Sequence, residues 1–303
     1  MNNKQQLTAY IKQQALELDF DACGITAAAV LSDRQEALQQ WLSDGMNADM
    51  GYMSRNVDKR LDVGLLVPGA KSVVCMLMSY KPRVEQAESI LKVARYAYGN
   101  DYHDTIREKL NMLLKLIRQQ LPECDGRGFV DSAPVLERAW AVKAGLGWIG
   151  KNGTLISKEL GSYTFLAELI VNVELEYDHP FEKNLCGSCT SCMQACPTSA
   201  IVKPCVVDAR KCISYQTIEH KGELNSSLHG WLFGCDECQQ ACPWNKKAKI
   251  SDHLEFVTIS KLLSMTRNDW ENLDEESFNK LFKYSALKRT GFNGIKRNLK
   301  HLE

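Results

Sequence analysis

Apolar side chains near the start of the chain recur at helical spacing and predict an opening helix. These side chains are Leu7, Tyr10, Ile11, Ala15 and Leu18. Residues 72–80 form a continuous apolar run that is typical of a buried strand. Residues 106–121 return to helical spacing until Pro122 ends the predicted helix. This order of helix, strand and helix favours a sheet that is covered by helices.

A second unit of strand, helix and strand follows. Residues 128–131 are predicted to form a short strand, and Pro134 is expected to open a helix over residues 135–144, because proline is favoured at the first helical position. Residues 163–173 are apolar and partly β-branched, which predicts a further strand. Residues 1–176 are therefore expected to form an N-terminal domain of the α+β or α/β class, with helices packed on a mixed sheet.

The distribution of the cysteines divides the remainder of the chain. Nine of the 12 cysteines lie between Cys186 and Cys242, and regular apolar periodicity fades in the same region. Residues 177–249 are therefore predicted to form a separate small module. Residues 250–303 are charged and helical in pattern, and we expect them to form a short, basic helical segment at the C-terminal end.

Composition narrows the classes of protein that fit. The 303 residues include 37 Lys and Arg against 37 Asp and Glu, so overall positive charge cannot be the means of binding nucleic acid, although a local basic face can be. No apolar run approaches the roughly 20 residues that a membrane span requires. The polar N-terminus lacks the apolar stretch of a signal peptide. We therefore expect a cytoplasmic protein without membrane contact, whose dense cysteines bind metal rather than form disulfides.

Residues 186–197 carry the pattern C-x2-C-x2-C-x3-C-P. In bacterial ferredoxins this run holds one [4Fe-4S] cluster with its first three thiolates and reaches a second cluster with the fourth. A zinc-holding structural knuckle is the alternative. Residues 235–243 repeat the run, with Leu232 where the first cysteine would stand. A ferredoxin-like module with two [4Fe-4S] clusters is therefore predicted.

A symmetric pairing of the two runs assigns the ligands. The predicted ligands of cluster 1 are Cys186, Cys189, Cys192 and Cys242. The predicted ligands of cluster 2 are Cys196, Cys235 and Cys238, together with either Cys205 or Cys212. Spacing alone does not decide between these last two. The scattered cysteines, Cys23, Cys75 and Cys124, are expected to act as small apolar side chains without a functional role.

Two further patterns match known sites only in part. Residues 145–150 match G-x-G-x-x-G, but a predicted helix precedes them where a dinucleotide site needs a strand, so a glycine-rich loop against another large ligand is favoured. Asp101 and His103 match the start of D-x-H-x-x-G, a pattern that supplies a histidine to cobalt in some cobalamin proteins. Ile106 stands where that pattern has glycine. Spacing alone therefore favours a hydrogen-bonding role for His103 over a metal-ligating one.

Asp131 follows a predicted strand, and α/β sheets place their ligands at such strand ends. A partly buried carboxyl at this position can hold a proton and donate it. The alternative is an aspartate that caps the next helix through its first-turn amides. The residues alone favour neither.

Residues 280–303 combine basic side chains with Phe282, Tyr284 and Phe292. A solvated helix is the ordinary meaning of such a run. Basic and aromatic side chains together also suit the backbone and unstacked bases of RNA, so an RNA-facing surface is the alternative.

Several long motifs resemble those of the epoxyqueuosine reductase family. They are DSAPVLER at 131–138, GLGWIGKN at 145–152, CGSCTSCMQACPTSAI at 186–201, DARKCISYQTIE at 208–219 and GCDECQQACPWN at 234–245. Residues 59–62 and 95–103 are similar to that family as well. The resemblance implies a cobalamin-dependent iron–sulfur enzyme that reduces epoxyqueuosine, at the wobble position of a tRNA anticodon, to queuosine.

The same resemblance implies roles for individual residues. Electrons from an external donor would pass through the two clusters to cobalamin in the N-terminal domain, and Asp131 would supply a proton as oxygen leaves. Cys212 is favoured over Cys205 as the fourth ligand of cluster 2. Contacts to cobalamin or substrate are implied for Arg60, Arg95, Tyr96, His103, Lys151 and Asn152. Contacts to the tRNA anticodon stem-loop are implied for Lys296, Arg297 and Asn298.

Two other functions are compatible with parts of this pattern. One is a different cobalamin and iron–sulfur reductase, similar to reductive dehalogenases. The other is a non-catalytic electron-transfer ferredoxin fused to a binding domain. Many family members continue into helical repeats beyond the position of Glu303, so we expect a smaller or differently shared grip on tRNA, in a chain that acts as a monomer.

Overall fold

The computed structural model describes residues 3–87, 90–224 and 226–302. The α-helices of these residues are, in chain order, α1 (Asn3–Glu17), α2 (Ser32–Ser43), α3 (Val57–Leu61), α4 (Tyr102–Gln120), α5 (Glu137–Lys143), α6 (Ser191–Ala195), α7 (Ile213–Ile218), α8 (Glu237–Gln240), α9 (Pro243–Lys246), α10 (Arg267–Asn272), α11 (Glu275–Leu281) and α12 (Gly291–His301). The strands are β1 (Ala22–Ala27), β2 (Ser72–Ser79), β3 (Lys92–Val93), β4 (Gly126–Phe129), β5 (Trp148–Ile149), β6 (Leu155–Ile156), β7 (Thr164–Val171), β8 (Ile201–Lys203), β9 (Val206–Val207) and β10 (Trp231–Phe233). None of the described helices combines the length and the apolar composition that crossing a bilayer needs.

Strands β1, β2, β7 and β4 form the central sheet in this order, and each neighbouring pair is antiparallel. The strand predicted at residues 72–80 is confirmed as β2, whose side chains are all buried. Val74 and Met76 belong to the apolar cluster that α1 and α4 complete, whereas Val73 and Cys75 belong to the cluster of α5. Helices therefore cover both faces of the sheet, and the predicted combination of helices with a sheet is confirmed.

Strand direction within this sheet differs from the prediction of a mixed sheet, because apolar patterns define strands but carry no information on their direction. A parallel pair does occur outside the central sheet, between β3 and β10. This pair joins the N-terminal region to the cysteine-rich region, since β10 directly precedes the second cysteine run.

The helix that Pro134 is predicted to open begins instead at Glu137. Asp131 adopts a left-handed conformation with φ 47°, and the N–H of Ser132 donates to the carbonyl of Val130 at 2.5 Å. The chain therefore turns tightly after β4, and Pro134 lies in the resulting loop. This turn, rather than the proline, sets the start of α5.

The cysteine-rich region contains short helices and a two-stranded hairpin of β8 and β9. Helices α6 and α8, which carry cysteines of the two related runs, contact each other. This contact brings the two halves of the degenerate repeat together, as the symmetric pairing of the cysteine runs requires.

The C-terminal helices α10, α11 and α12 pack around a large apolar cluster. Trp270, Phe278 and Phe282 are buried in it. Val93 of β3 and Phe233 of β10 belong to the same cluster, so residues of all three predicted segments share one core. The domain boundaries at 1–176, 177–249 and 250–303 therefore stay predictions.

Candidate active site and cluster sites

Asp131 lies just after β4, in the tight turn that precedes α5. Its φ of 47° is in the left-handed region, which aspartate tolerates better than most residues but which still stores strain. Its backbone N–H donates to Oε1 of Glu137 at 2.5 Å, so the first residue of α5 holds the turn. The side chain is 61% exposed. The turn therefore presents the Asp131 carboxylate beyond the end of β4, open to a ligand.

Helix α4 begins with the two side chains that contact this carboxylate. Asp101 caps the helix, its side chain accepting the backbone N–H of His103 at 3.1 Å. The Tyr102 hydroxyl donates to Oδ2 of Asp131 at 2.5 Å, and Nε2 of His103 lies 3.5 Å from the same oxygen. Nδ1 of His103 lies 2.7 Å from Oδ1 of Asp101. His103 is therefore placed between two carboxylates, as the hydrogen-bonding interpretation of its motif expects.

These contacts shift the pKa values of His103 and Asp131 in opposite directions. Burial lowers the pKa of His103, but its hydrogen bonds to Asp101 and Asp131 and their charges outweigh burial and raise the pKa to about 9. Packed protein atoms act to raise the pKa of Asp131, but the hydrogen bonds from His103 and Tyr102 outweigh them and lower it. At neutral pH the pair is thus a carboxylate beside a protonated imidazole. The proton of this pair is therefore held on the His103 side.

Tyr96 connects the Asp131 site to the cysteine-rich region. Its ring lies edge-on to that of Tyr102, with centroids 6.3 Å apart, and lies 6.0 Å from the ring of Phe233. Burial and then the charge of Asp131 raise the pKa of Tyr96, which keeps its hydroxyl neutral. Tyr96 and His103 of the predicted cofactor pocket therefore both lie close to Asp131.

Arg60 has one buried donor without a partner among the described residues. Its Nη2 donates to the carbonyl of Tyr52 at 2.8 Å, while its buried Nε has no hydrogen-bond partner among the described residues. Burial raises the pKa of Tyr52, and the charges of Glu219, Arg289, Asp131 and Arg60 act on the same hydroxyl more weakly. An unpaired buried donor is uncommon in folded proteins. This donor fits the prediction that Arg60 contacts a large polar cofactor or substrate.

Arg95 is engaged away from Asp131. Its guanidinium forms ion pairs with Glu85 and with Asp236, the latter at 3.1 Å, and its backbone N–H donates to Asp236 at 2.8 Å. Asp236 is 2% exposed and lies between two predicted ligands of cluster 2. Arg95 thus anchors the cluster 2 loop to the N-terminal region. Its contact with a cofactor stays a prediction, and these ion pairs already occupy the side chain.

A cavity of about 320 Å³ brings the predicted ligands of cluster 1 together. Its walls include Cys186, Cys189, Cys192 and Cys242. Lys151 and Asn152 line the same cavity, and Nζ of Lys151 donates to the carbonyl of Cys189 at 2.9 Å. Asn152 is 5% exposed, and its Nδ2 has no partner among the described residues. The donor set fits a [4Fe-4S] cluster, and it places Lys151 and Asn152 beside that cluster.

The other cysteines of the cysteine-rich region divide between the two predicted cluster sites. The cysteines that act electrostatically on one another around cluster 2 are Cys196, Cys212, Cys235 and Cys238. Burial raises the pKa of Cys238, and the charges of the other three thiols raise it further. Cys205 is exposed and is influenced by Cys186 of cluster 1 instead. This arrangement favours Cys212 as the fourth ligand. In the part of the chain that is described, no three His, Cys, Asp or Glu side chains form a ready site for one metal ion.

The side chains at the C-terminal end that are predicted to contact tRNA form hydrogen bonds with backbone carbonyls of the same chain. Asn298 is fully buried, and its Nδ2 donates to the carbonyls of Thr217 and Leu232 at 2.8 and 2.9 Å. This corrects the prediction for Asn298, because the side chain has no surface left for RNA. Lys296 and Arg297 also donate to backbone carbonyls, on α10 and α7 respectively. A tRNA contact of these two stays a prediction.

Three residues of the Asp131 site were not predicted from the sequence. Tyr102 is next to His103 in the same motif, and Glu137 lies within the DSAPVLER motif. Glu168 is fully buried in β7. The sequence did contain a signal for it, since Glu168 is a lone carboxyl in an otherwise apolar strand.

Comparisons with known proteins agree with this geometry. Residues 60–132 match the family model described as "Epoxyqueuosine reductase QueG, DUF1730", and residues 185–245 match that of a "4Fe-4S double cluster binding domain". The chain is 48% identical over 307 positions to an epoxyqueuosine reductase of Cellulophaga algicola, with 100% of both chains covered. A solved epoxyqueuosine reductase with an epoxyqueuosine-modified tRNA-Tyr stem loop is 31% identical, with a TM-score of 0.89 over 98% of this chain and 80% of that one. Another, from Bacillus subtilis, has its aspartate catalytic loop swung out of the active site and is 30% identical, with a TM-score of 0.90 over 98% and 81%. The chain therefore belongs to the epoxyqueuosine reductase family.

Proposed function

We propose that this chain reduces the epoxide of epoxyqueuosine in tRNA to queuosine, with Asp131 as the acid. The observation that carries this proposal is the Asp131 carboxylate, held by the Tyr102 hydroxyl and a protonated His103 in a member of this family. Conversion of an epoxide to an alkene consumes two electrons and two protons and releases the oxygen as water. His103 gives its proton to the Asp131 carboxylate, which passes it to the departing oxygen, and the second proton comes from solvent water.

The two groups of four cysteines fit two [4Fe-4S] clusters, which carry electrons from an external donor. Cobalamin, when bound, supplies a metal centre that delivers those electrons to the carbon–oxygen bond. Arg60, Tyr96 and His103 would hold it on the Asp131 side of the sheet. Nε of Arg60 has a hydrogen bond to give, whereas both ring nitrogens of His103 already face carboxylates, so we assign His103 to proton storage and not to cobalt ligation.

The tRNA-facing surface is proposed to include Tyr284, the exposed aromatic side chain of the basic tail. Tyr284 is 62% exposed, whereas Phe282 is fully buried. Its ring centroid lies 4.9 Å from Nζ of Lys283 and 5.9 Å from Nζ of Lys288. Its backbone carbonyl accepts the N–H of Asp101, the residue that caps α4 and lies two positions before His103. An exposed ring between two cations, in a residue that bonds to the start of α4, suits an unstacked base and its phosphates.

Tyr284→Ala is expected to raise the dissociation constant of the epoxyqueuosine stem-loop by about 5- to 150-fold, the equivalent of about 1–3 kcal/mol of base stacking. Fluorescence anisotropy with a labelled stem-loop measures this. Tyr177→Ala is the matched control, because Tyr177 is 39% exposed and also has a lysine, Lys4, over its ring at 5.4 Å. The Tyr177 hydroxyl donates to the carbonyl of Lys71, which lies just before β2, at the end of the sheet opposite the Asp131 turn. Equal effects of the two variants would remove Tyr284 from the interface.

The proposed activity is tested with protein purified without oxygen, loaded with iron, sulfide and cobalamin, and given a chemical reductant. Nucleoside mass spectrometry of a modified stem-loop should then show loss of one oxygen atom, dependent on both cofactors. An intact epoxide after incubation with fully loaded protein would refute the proposal. We further propose that the chain acts as a monomer in the cytoplasm. Size-exclusion chromatography of the purified protein, with and without stem-loop, checks the stoichiometry.

A further inference from the structure

A buried carboxyl beneath the Asp131 turn has no role in the mechanism above. Glu168 lies in the middle of β7, opposite Cys75 of β2 and Phe129 of β4, and is fully buried. Neither of its carboxyl oxygens receives a hydrogen bond from an N–H or O–H group of the described residues. An ionised carboxylate without a donor is very costly to bury, so Glu168 has to be neutral.

Helix α5 contacts β7, and among the described residues the side chain that acts on Glu168 both by its charge and by a hydrogen bond is a second carboxyl, that of Glu137. Two carboxyl groups can form a hydrogen bond only when one of them carries a proton, because ionised carboxylates are acceptors alone. Glu137 is also the group that accepts the backbone N–H of Asp131 at 2.5 Å. Glu137 therefore stands between the buried carboxyl and the strained turn of the candidate acid.

Electrostatics favours a proton at this contact. Burial and then the charge of Asp131 raise the pKa of Glu137 to about 8, and burial together with Glu137 raises the pKa of Glu168 well above its ordinary value. Arg138 and His103 act on Glu137 in the opposite direction but do not outweigh these effects. Cys75, the other titratable side chain against Glu168, is kept neutral because burial raises its pKa.

We propose that Glu137 and Glu168 share a proton across the contact between α5 and β7, and that this proton holds the Asp131 turn in position. Glu137 and Glu168 are thus positioning residues, which act through the backbone of Asp131 and do not touch the substrate. The proposal rests on the proposed function only in naming Asp131 as the acid. In the Bacillus subtilis relative the aspartate catalytic loop is swung out of the active site, whereas here the Asp131 turn is bonded to Glu137.

Two substitutions separate a shared proton from mere packing. Glu168→Gln keeps the size of the side chain and offers Glu137 a permanent N–H donor. Glu168→Leu removes the donor. We expect hydrogen exchange in the peptide containing the Asp131 amide to stay slow in Glu168→Gln and to become faster in Glu168→Leu, measured on the cluster-loaded enzyme without substrate. Thr164→Val is the matched control, since Thr164 is on the same strand, is buried and also has an unpaired polar atom.

The rate of epoxide reduction should follow the same order. Glu168→Leu is expected to lower kcat by about 10- to 100-fold with little change in KM, because the acid is misplaced while binding surfaces stay intact. Glu168→Gln should retain a rate near that of the wild type. Equal exchange and equal rates in Glu168→Gln and Glu168→Leu would overturn the proposal. If no variant and no wild-type protein reduces the epoxide, but the exchange pattern holds, the proposed function fails and the positioning role stands.

Stability provides a second readout that needs no substrate. Unfolded glutamates lose their protons near their ordinary pKa of 4.5, whereas the folded pair keeps its shared proton up to about 8, the value to which burial raises the pKa of Glu137. The native state therefore binds more protons between these values, and the free energy of unfolding should fall as pH rises through this range. Glu168→Gln is expected to make that fall less steep. The Tm of the variant relative to that of the wild type should therefore rise from pH 5 to pH 8. Parallel Tm curves would show that no proton is shared at this contact.

Discussion

Asp131→Asn is expected to lower the rate of epoxide reduction by about 10²- to 10⁴-fold, the range that general acid catalysis contributes. Asparagine has nearly the same shape, and its amide oxygen can still accept the Tyr102 hydroxyl that lies 2.5 Å from Oδ2 in the wild type. It cannot carry a proton from His103 to the departing oxygen. Single-turnover reduction of a modified stem-loop by enzyme with both clusters and cobalamin measures the loss.

The controls for Asp131→Asn distinguish lost chemistry from lost structure. Asp104→Asn neutralises another aspartate near the start of α4, but Asp104 is 77% exposed and pairs with Arg107 at 3.0 Å, so it should leave the rate unchanged. Stem-loop affinity and iron content should be the same in both variants. If Asp131→Asn reduced the epoxide at a rate near that of the wild type, the proton would have to come from another group, and the role of the His103 pair would be lost with it.

Features that depend on local sequence could be predicted here. Strand β2 is visible as an unbroken apolar run because both of its faces are covered by helices. The two cysteine groups are visible because a short loop has to wrap one cluster, which fixes the spacing within each run. Asp131 and His103 were each found from a strand end and a motif, and the structure brings Asp131, His103 and Tyr102 together.

Features that depend on distant partners could not be predicted. Neither the direction of the central strands nor the left-handed turn at Asp131 produces a periodic pattern in the sequence. The family resemblance implies an RNA contact for Asn298, but its amide donates to two backbone carbonyls of residues more than sixty positions away. Glu168 is visible in the sequence as a carboxyl in an apolar strand, yet its meaning depends on Glu137, which begins α5 and is separated from β7 by β5 and β6.

Cys212→Ala is expected to leave about four irons per chain where the wild type holds about eight, because cluster 2 would keep only three of its four thiolates. Cys212 directly precedes α7, and the pKa values of Cys235 and Cys238 are both raised by its charge, after burial, which places its thiol among the predicted ligands. Loss of cluster 2 would interrupt the path from the external donor. Multiple-turnover reduction should therefore fall to background, while stem-loop affinity stays unchanged.

Cys205→Ala is the matched control for this assignment. Cys205 is exposed, its backbone is left-handed with φ 66°, and its thiol lies 3.8 Å from the carbonyl of Ile149. Iron and sulfide analysis with electron paramagnetic resonance of the reduced protein should find both clusters in this variant. The reverse result, with full iron in Cys212→Ala and half in Cys205→Ala, would require the loop after β8 to move from the cluster 1 side to cluster 2. Full iron in both variants would mean that a group other than cysteine completes cluster 2.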